Sequence, residues 1–192
     1  MPPLPSSLPE WSGQRDLWVF GYASLIWRPE FESVEHLPAT VHGWHRALRL
    51  RSRNHRGTPE QPGLVFALMR GGSCQGVAFR IAAARAADEL QRLWRREMDA
   101  GVYDPRWLPC RTARGVVPAL GFTLHRGSPH DAGRLNDDEL LAILRAAKGC
   151  YGSTLQYLLD TAQCLRERRV HDREIERLVR LAQRHRLVET PA

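Results

Sequence analysis

The chain lacks the segments that mark membrane-spanning and secreted proteins. None of its apolar runs approaches the roughly 18 residues that a membrane-spanning helix needs. Residues 1–14 are rich in proline and serine but have neither the basic nor the apolar region of a signal peptide, so we expect a flexible leader there. The remaining residues, 15–192, suffice for one hydrophobic core, and we expect them to form a single domain.

Several motifs that accompany metals, nucleotides and nucleophilic serines are also missing. The sequence contains no HExxH, no phosphate-binding loop, no dinucleotide fingerprint and no G-x-S-x-G elbow. Its cysteines form no close pair and have no metal-like spacing; they are Cys74, Cys110, Cys150 and Cys164. We expect reduced thiols that serve mostly as packing residues in a cytoplasmic protein.

The chain does carry an excess of positive charge. Lysine and arginine total 28 against 21 acidic residues, which gives a formal net charge of +7. The basic residues are spread along the chain, and the densest cluster, Arg46–Arg56, lacks a recognisable nucleic-acid-binding module. A basic protein can equally serve a small anionic substrate, so we expect no nucleic-acid partner.

Hydrophobic periodicity predicts strands first, then one helix, a further strand and three closing helices. The predicted strands are 17–21, 39–41, 47–51, 64–69, 75–81 and 116–124, with loops at 22–29 and 53–62 and a hairpin turn at Gly71-Gly72. The predicted helices are 83–98, 137–147, 153–166 and 172–185, with Asn136 and Ser153 as N-caps and Gly149 as a helix stop. This order differs from regular βαβ alternation. It predicts an α+β fold whose mixed or antiparallel sheet curls into a small barrel with surrounding helices.

Glu97 is the most informative residue, because it falls on the apolar side of a predicted helix. The apolar stripe consists of Ala83, Ala86, Ala87, Leu90, Leu93 and Trp94. The charged side chains expected on the opposite side are Asp88, Arg92, Arg95, Arg96 and Asp99. Burial would raise the pKa of Glu97, as a general acid/base working near neutral pH requires. The alternative is a helix end at which Glu97 turns to solvent or pairs with a nearby arginine.

Ser24 lies three residues after the end of the first predicted strand, a common place for a site residue, although most such serines form turns. The residues by themselves therefore indicate a cleft near the end of that strand and an acid on a helix stripe. They do not indicate a reaction.

A series of motifs runs along most of the chain after the leader. It consists of Phe20-Gly21-Tyr22-Ala23-Ser24-Leu25-Ile26-Trp27-Arg28-Pro29, Gly43–Arg46, His55–Thr58, Pro62–Leu64, Gly76–Arg80, Leu93–Met98, Tyr103, Gly149, Gly152-Ser153, Tyr157-Leu158 and Asp172. Together these motifs resemble the ChaC-type glutathione-specific γ-glutamylcyclotransferases, whose opening motif has the core Tyr-Gly-Ser-Leu. Ala23 is the one clear departure, since the family pattern has Gly. A left-handed backbone would cost alanine about 1–2 kcal/mol, so we expect Ala23 at negative φ.

The resemblance implies a γ-glutamylcyclotransferase-like catalytic domain over 15–192 and a cytoplasmic lyase that degrades glutathione. In this family the α-amine of the γ-glutamyl unit attacks its own γ-carbonyl, which gives 5-oxoproline and Cys-Gly without a cofactor or a metal. The catalytic acid of the family maps to Glu97. The residues Tyr22, Ala23, Ser24 and Leu25 map to the glutamyl-binding loop, where backbone N–H groups and the Ser24 hydroxyl would hold the γ-carbonyl oxygen or the α-carboxylate.

Two further residues enter the predicted site through the resemblance. Tyr157 resembles a family tyrosine; its helix position beside Thr161 and Cys164 is compatible with facing a cleft or with partial exposure. Arg56 is expected either to pair with the glycine carboxylate of glutathione or to structure its own loop. The resemblance thus implies glutathione as a small-molecule partner, while the spread of basic residues and the lack of a long apolar run lead us to expect neither nucleic acid nor membrane. The alternatives are a cyclotransferase for other γ-glutamyl peptides or amines, and a non-catalytic binding member of the fold.

Overall fold

The computed structural model describes residue 11 and residues 13–98, 101–124 and 127–188. Most of the leader expected over 1–14 lies outside these residues. The contacts divide the chain into two compact units. The barrel unit comprises the chain up to Arg46 together with Leu68–Ser128, and the helical unit comprises Ala47–Ala67 together with the chain from Pro129. The expectation of a single domain over 15–192 stays a prediction.

Five strands of the described chain form a closed barrel. They are β1 (Leu17–Gly21), β2 (Glu35–Ser52), β3 (Gly63–Ile81), β4 (Asp104–Thr112) and β5 (Gly115–Thr123), in the spatial order β1-β3-β2-β4-β5. β1 pairs antiparallel with β3 from Leu17↔Ile81 to Gly21↔Val77, and parallel with β5 at Val19↔Leu120. Fully buried Phe20, Leu108 and Phe122 belong to the core of the barrel unit. The sheet is thus mixed and closed, which confirms the predicted fold class.

The long strands correct the sequence analysis. β2 is one strand where two short pieces were predicted, and β3 is one strand where a hairpin was predicted. Gly71 and Gly72 do take positive φ values of 104° and 69°, but the chain continues in the same strand. β4 was not predicted at all; its two prolines obscure the alternation that marks a strand, yet they pair in register with β5.

Two helices of the barrel unit contain predicted site residues: Ser24 and Leu25 on one, and Glu97 on the other. The segment after β1, predicted as a loop, contains one helical turn, α1 (Ser24–Trp27). The helix α2 spans Ala83–Met98 and confirms the predicted bounds. Ala87 is exposed although it was assigned to the apolar stripe, whereas Glu89 is buried. Asp99, expected on the polar side, lies outside the described residues.

The helical unit contains α3 (Asp137–Ala146), α4 (Thr154–Glu167) and α5 (Arg173–Arg184), as predicted to within a residue or two at each end. Both predicted N-caps are confirmed: Asn136 accepts from the N–H of Glu139 in a capping box, and Ser153 accepts from the N–H of Gln156. Gly149 does not stop α3. It lies in β6 (Lys148–Gly149), which pairs antiparallel with β7 (Gly152–Ser153).

All four cysteines are free thiols, and three of them are buried. Burial raises the pKa of the Cys110 thiol to about 12, so that thiol stays protonated and acts as an apolar packing group. Cys150 is exposed, so packing is the role of most of the cysteines, as expected, but not of all four. In the described part of the chain, no helix combines the length and apolarity needed to cross a membrane.

Candidate active site

The turn after β1 is held from both sides within the barrel unit. Tyr22 is buried, and its hydroxyl donates to the backbone oxygen of Phe122 at 3.0 Å. Arg46, itself only 4% exposed, donates from Nε to the backbone oxygen of Tyr22 at 2.5 Å and from Nη2 to that of Gln75 at 2.6 Å. A buried guanidinium on β2 therefore fixes the start of the predicted glutamyl-binding loop. Arg46 belongs to the Gly43–Arg46 motif, but its position in the sequence did not indicate a role in the site.

The same turn accommodates Ala23 without a left-handed backbone. Its φ is −144°, which confirms the predicted negative value. The carbonyl oxygen of Ala23 accepts from the N–H of Ile26 at 2.8 Å, and that of Ser24 accepts from the N–H of Arg28 at 2.7 Å. Ala23 and Leu25 are buried, whereas Ser24 is half-buried. Of the four predicted loop residues, Ser24 is therefore the one whose side chain retains appreciable exposure.

Glu97 lies in the last turn of α2 with its side chain 12% exposed. Burial raises the pKa of its carboxyl group, the positive charge of Arg96 lowers that pKa, and the negative charge of Glu30 raises it; burial is the largest of the three effects. Glu97 Oε1 lies 3.1 Å from Arg96 Nε. Glu97 therefore pairs with an arginine, as one alternative held, but it does not turn out to solvent and it keeps the raised pKa that proton transfer near neutral pH requires.

The helix position of Arg96 predicted a side chain that points away from the site. In the structure this side chain points toward the site. Its guanidinium donates from Nη2 to the hydroxyl of Ser24 at 3.3 Å. Ser24 and Glu97, which are far apart in sequence, thus share one partner. The structure brings these two predicted site residues together, and the side chain that connects them was missed because a helical position specifies Cβ, not the end of a long side chain.

A second acid on α2 was also missed. Glu89 is fully buried; its Oε1 lies 3.3 Å from Arg85 Nη2 and 3.7 Å from Arg92 Nη1. Within the described residues its Oε2 has no hydrogen-bond partner. Glu89 lies beside Leu90, at the edge of the apolar stripe, so the same periodicity that drew attention to Glu97 could have indicated it.

Arg56 and Tyr157 come together in the helical unit. The guanidinium carbon of Arg56 lies 5.1 Å from the centre of the Tyr157 ring, within the range of a cation–π interaction. Tyr157 is only 4% exposed and packs on Phe66, whose N–H donates to the tyrosine hydroxyl at 3.3 Å. Partial exposure of Tyr157 is therefore wrong, because long-range packing on β3 covers the ring. Its role in substrate binding stays a prediction.

The backbone around Arg56 is tightly packed. The Arg56 N–H donates to the Ser52 hydroxyl at 3.0 Å, and the Arg56 carbonyl accepts from the Thr154 hydroxyl at 3.1 Å. A methyl group at Gly63 would overlap the Arg56 carbonyl oxygen, and one at Gly149 would overlap the backbone of the same loop. These contacts involve the backbone of Arg56, so both roles of its side chain, structuring the loop and pairing with a substrate carboxylate, stay predictions.

No group of three or more histidine, cysteine, aspartate or glutamate side chains in the described parts of the chain is arranged to hold a metal ion. The expected absence of a metal and of a cofactor stays a prediction, since it came from the resemblance.

Comparison with known proteins decides the family. Residues 17–185 match the family model of ChaC-like proteins. The chain belongs to this family. The matched region contains every predicted site residue in both units, from Tyr22 to Tyr157.

Several relatives of this ChaC-like chain are named for their activity. It is 38% identical over 148 residues to a glutathione-specific γ-glutamylcyclotransferase of Escherichia coli, covering 77% of this chain and 64% of that protein. It is 30% identical over 167 residues to glutathione-specific γ-glutamylcyclotransferase 1 of Rattus norvegicus, covering 83% of this chain and 75% of that protein. It is 31% identical over 160 residues to glutathione-specific γ-glutamylcyclotransferase 1 of Danio rerio, covering 81% of this chain and 82% of that protein. The match thus spans less than two thirds of the Escherichia coli relative.

Solved structures agree on the fold. The yeast γ-glutamylcyclotransferase specific to glutathione superposes with a TM-score of 0.79 over 89% of this chain and 97% of that chain, at 20% sequence identity. A structure described as γ-glutamyl cyclotransferase superposes with a TM-score of 0.55 over 85% of this chain and 86% of that chain, at 12% identity. The barrel with its helices is therefore the fold of this family.

Proposed function

We propose that the chain cleaves glutathione by intramolecular cyclisation of its γ-glutamyl unit, giving 5-oxoproline and Cys-Gly. The reaction makes the enzyme a lyase, because no water is consumed. The observation that carries the proposal is Glu97, a mostly buried acid with a raised pKa that shares Arg96 with the loop after β1. The names of the ChaC-like relatives support glutathione as the substrate.

The chemistry needs one group that first removes and then returns a proton. The neutral α-amine of the γ-glutamyl unit is the nucleophile, and Glu97 accepts the one proton that this nitrogen loses as it becomes the ring N–H. The amine attacks the γ-carbonyl carbon, a C–N bond closes the five-membered ring, and a tetrahedral intermediate forms. When this intermediate collapses, the bond to the cysteine nitrogen breaks and Glu97 returns the proton to that nitrogen. A carboxyl group whose pKa is raised toward neutrality suits both steps.

Positioning supplies much of the remaining rate, because nucleophile and electrophile belong to one substrate molecule. We propose that the turn formed by Tyr22, Ala23, Ser24 and Leu25 binds the γ-glutamyl unit, with the half-buried Ser24 hydroxyl toward an oxygen of the substrate. The bonds from Arg46 and to Phe122 keep this turn rigid. Rigidity matters because donors that stabilise an oxyanion act best when they are already oriented.

Arg56 and Tyr157 are proposed as substrate-binding residues on the resemblance. The guanidinium of Arg56 would pair with a carboxylate of the substrate, and the Tyr157 ring beneath it would hold its plane. We propose that the reaction uses neither a metal nor a cofactor, and that the protein binds neither nucleic acid nor a membrane. The four free thiols support a cytoplasmic location.

The direct test is incubation of the purified protein with glutathione and measurement of the products. We expect equal amounts of 5-oxoproline and Cys-Gly and no free glutamate. The variant Glu97→Gln should lose this activity. Its matched control is Asp88→Asn, which changes an exposed acid on the same helix and should be as active as the wild type. Glutamate in place of 5-oxoproline would indicate a hydrolase, and no turnover would favour a non-catalytic member of the fold.

A further inference from the structure

Arg96 contacts the proposed catalytic acid and the loop after β1 with a single guanidinium group. Its Nε lies 3.1 Å from Glu97 Oε1, and its Nη2 donates to the Ser24 hydroxyl at 3.3 Å. Its Nη1 donates to the backbone oxygen of Arg28 at 2.5 Å and to the Glu30 carboxylate at 3.0 Å. All three guanidinium nitrogens are therefore engaged, one by the acid and two by the segment 24–30.

We propose that Arg96 is a positioning residue for the cyclisation, holding the Glu97 carboxylate in a fixed place relative to the Ser24 loop. This inference rests on the proposed function. In that function the loop binds the γ-glutamyl unit and Glu97 takes the proton of its α-amine. The acid can reach that amine only if helix α2 and the loop keep their spacing. Among the described contacts, those of Arg96 connect the two directly.

A planar guanidinium suits this role in a way that an ammonium group does not. Its nitrogens point in three fixed directions, so one side chain can engage a carboxylate, a hydroxyl and a backbone oxygen at once. The side chain of Arg96 is 21% exposed and that of Glu97 is 12% exposed, so their attraction is less screened than that of a surface pair. Lysine at position 96 would keep the charge but lose the simultaneous contacts.

Arg96 also sets the charge that Glu97 experiences. Among the described residues, the charged groups that act on Glu97 are Arg96, which lowers its pKa, and Glu30, which raises it. Arg96 pairs with Glu30 as well. Glu30 is paired with Arg28 too, at 2.5 Å, and would keep that partner if Arg96 were removed. Glu97 would lose the cation that lowers its pKa, so it would hold its proton to higher pH.

The test compares Arg96→Gln and Arg96→Lys with Arg95→Gln, which removes an exposed arginine from the same helical turn. For Arg96→Gln we expect kcat/KM for glutathione to fall about tenfold or more, as misplacement of a catalytic group does. The acid limb of the kcat/KM profile should move to higher pH. For Arg96→Lys the acid limb should stay near the wild-type position while KM rises. Arg95→Gln should change neither.

An Arg96→Gln enzyme with the wild-type pH profile and KM would overturn the proposal. Loss of activity together with a lowered Tm, but without movement of the acid limb, would indicate a merely structural role and would overturn it too. If Arg96→Gln fails to fold, Arg96→Lys is the deciding variant: a raised KM for glutathione supports the proposal, and a wild-type KM overturns it.

The proposed function can fail separately, if the wild type does not convert glutathione. The carboxyl of Glu97 is then titrated by NMR in the wild type and in Arg96→Gln. A higher pKa in the variant supports the positioning contact, and an equal pKa overturns it.

Discussion

Replacing Glu97 by glutamine should abolish the cyclisation and, at the same time, remove the loss of stability with rising pH that Glu97 causes. Glutamine keeps the shape of the side chain but carries no exchangeable acid proton. General acid–base catalysis contributes about 10²- to 10⁴-fold, and we expect a loss at the upper end of that range because Glu97 would serve both proton transfers. The fold should survive, since Arg96 keeps its contacts with Ser24, Arg28 and Glu30.

The sign of the stability effect follows from the raised pKa. The folded protein holds the Glu97 proton more tightly than the unfolded chain, in which a glutamate titrates near about 4.3. The stabilising contribution of that proton is complete below the unfolded pKa and is lost as the pH rises through the folded pKa. Between the two values each pH unit removes about 1.4 kcal/mol of stability from the wild type. Glutamine does not titrate, so the variant does not lose this contribution.

The assay is urea unfolding of both proteins at several pH values between about 4 and 8, followed by circular dichroism. The free energy of unfolding of Glu97→Gln minus that of the wild type should increase with pH and then level off. A flat difference, or one that falls with pH, would refute the raised pKa. A loss of activity with a flat difference would mean that glutamine disturbs the site geometry and not its proton chemistry.

Three further predictions concern the loop, the substrate and the packing near Arg56. Ala23→Gly should leave folding intact and change KM by no more than about tenfold, or 1.4 kcal/mol, because Ala23 already has negative φ; a thousandfold gain in activity would show that alanine blunts the site. The kcat/KM for glutathione should exceed that for γ-glutamylalanine, because Arg56 is expected to pair with the carboxylate of the glycine residue, which γ-glutamylalanine lacks. Equal values would favour a cyclotransferase of broader substrate range. Gly63→Ala should cost about 1–3 kcal/mol in urea unfolding, because the new methyl would overlap the Arg56 carbonyl oxygen and the Thr154 hydroxyl; wild-type stability would show that the loop moves freely.

The sequence by itself determined the features that depend on local periodicity and on motifs. The bounds of α2, the place of Glu97 on its apolar stripe and the N-caps Asn136 and Ser153 follow from residues within one or two helical turns. The ordered motifs indicated the ChaC-like family, and the fold class followed from the order of strands and helices.

The tertiary structure alone decided what depends on residues that are distant in sequence. Gly71-Gly72 looked like a turn, yet β3 continues through both glycines, pairing with β5 at Leu68 before them and with β1 over Val77–Ile81 after them. Tyr157 is covered by Phe66, and Arg46 is fixed on Tyr22 and Gln75; neither contact has a signal in a helical or strand period. Arg96 donates to Ser24 because the fold places this acceptor within reach of a long side chain. Periodicity indicates which face a Cβ occupies, but packing between distant segments determines where the charged end of the side chain lies.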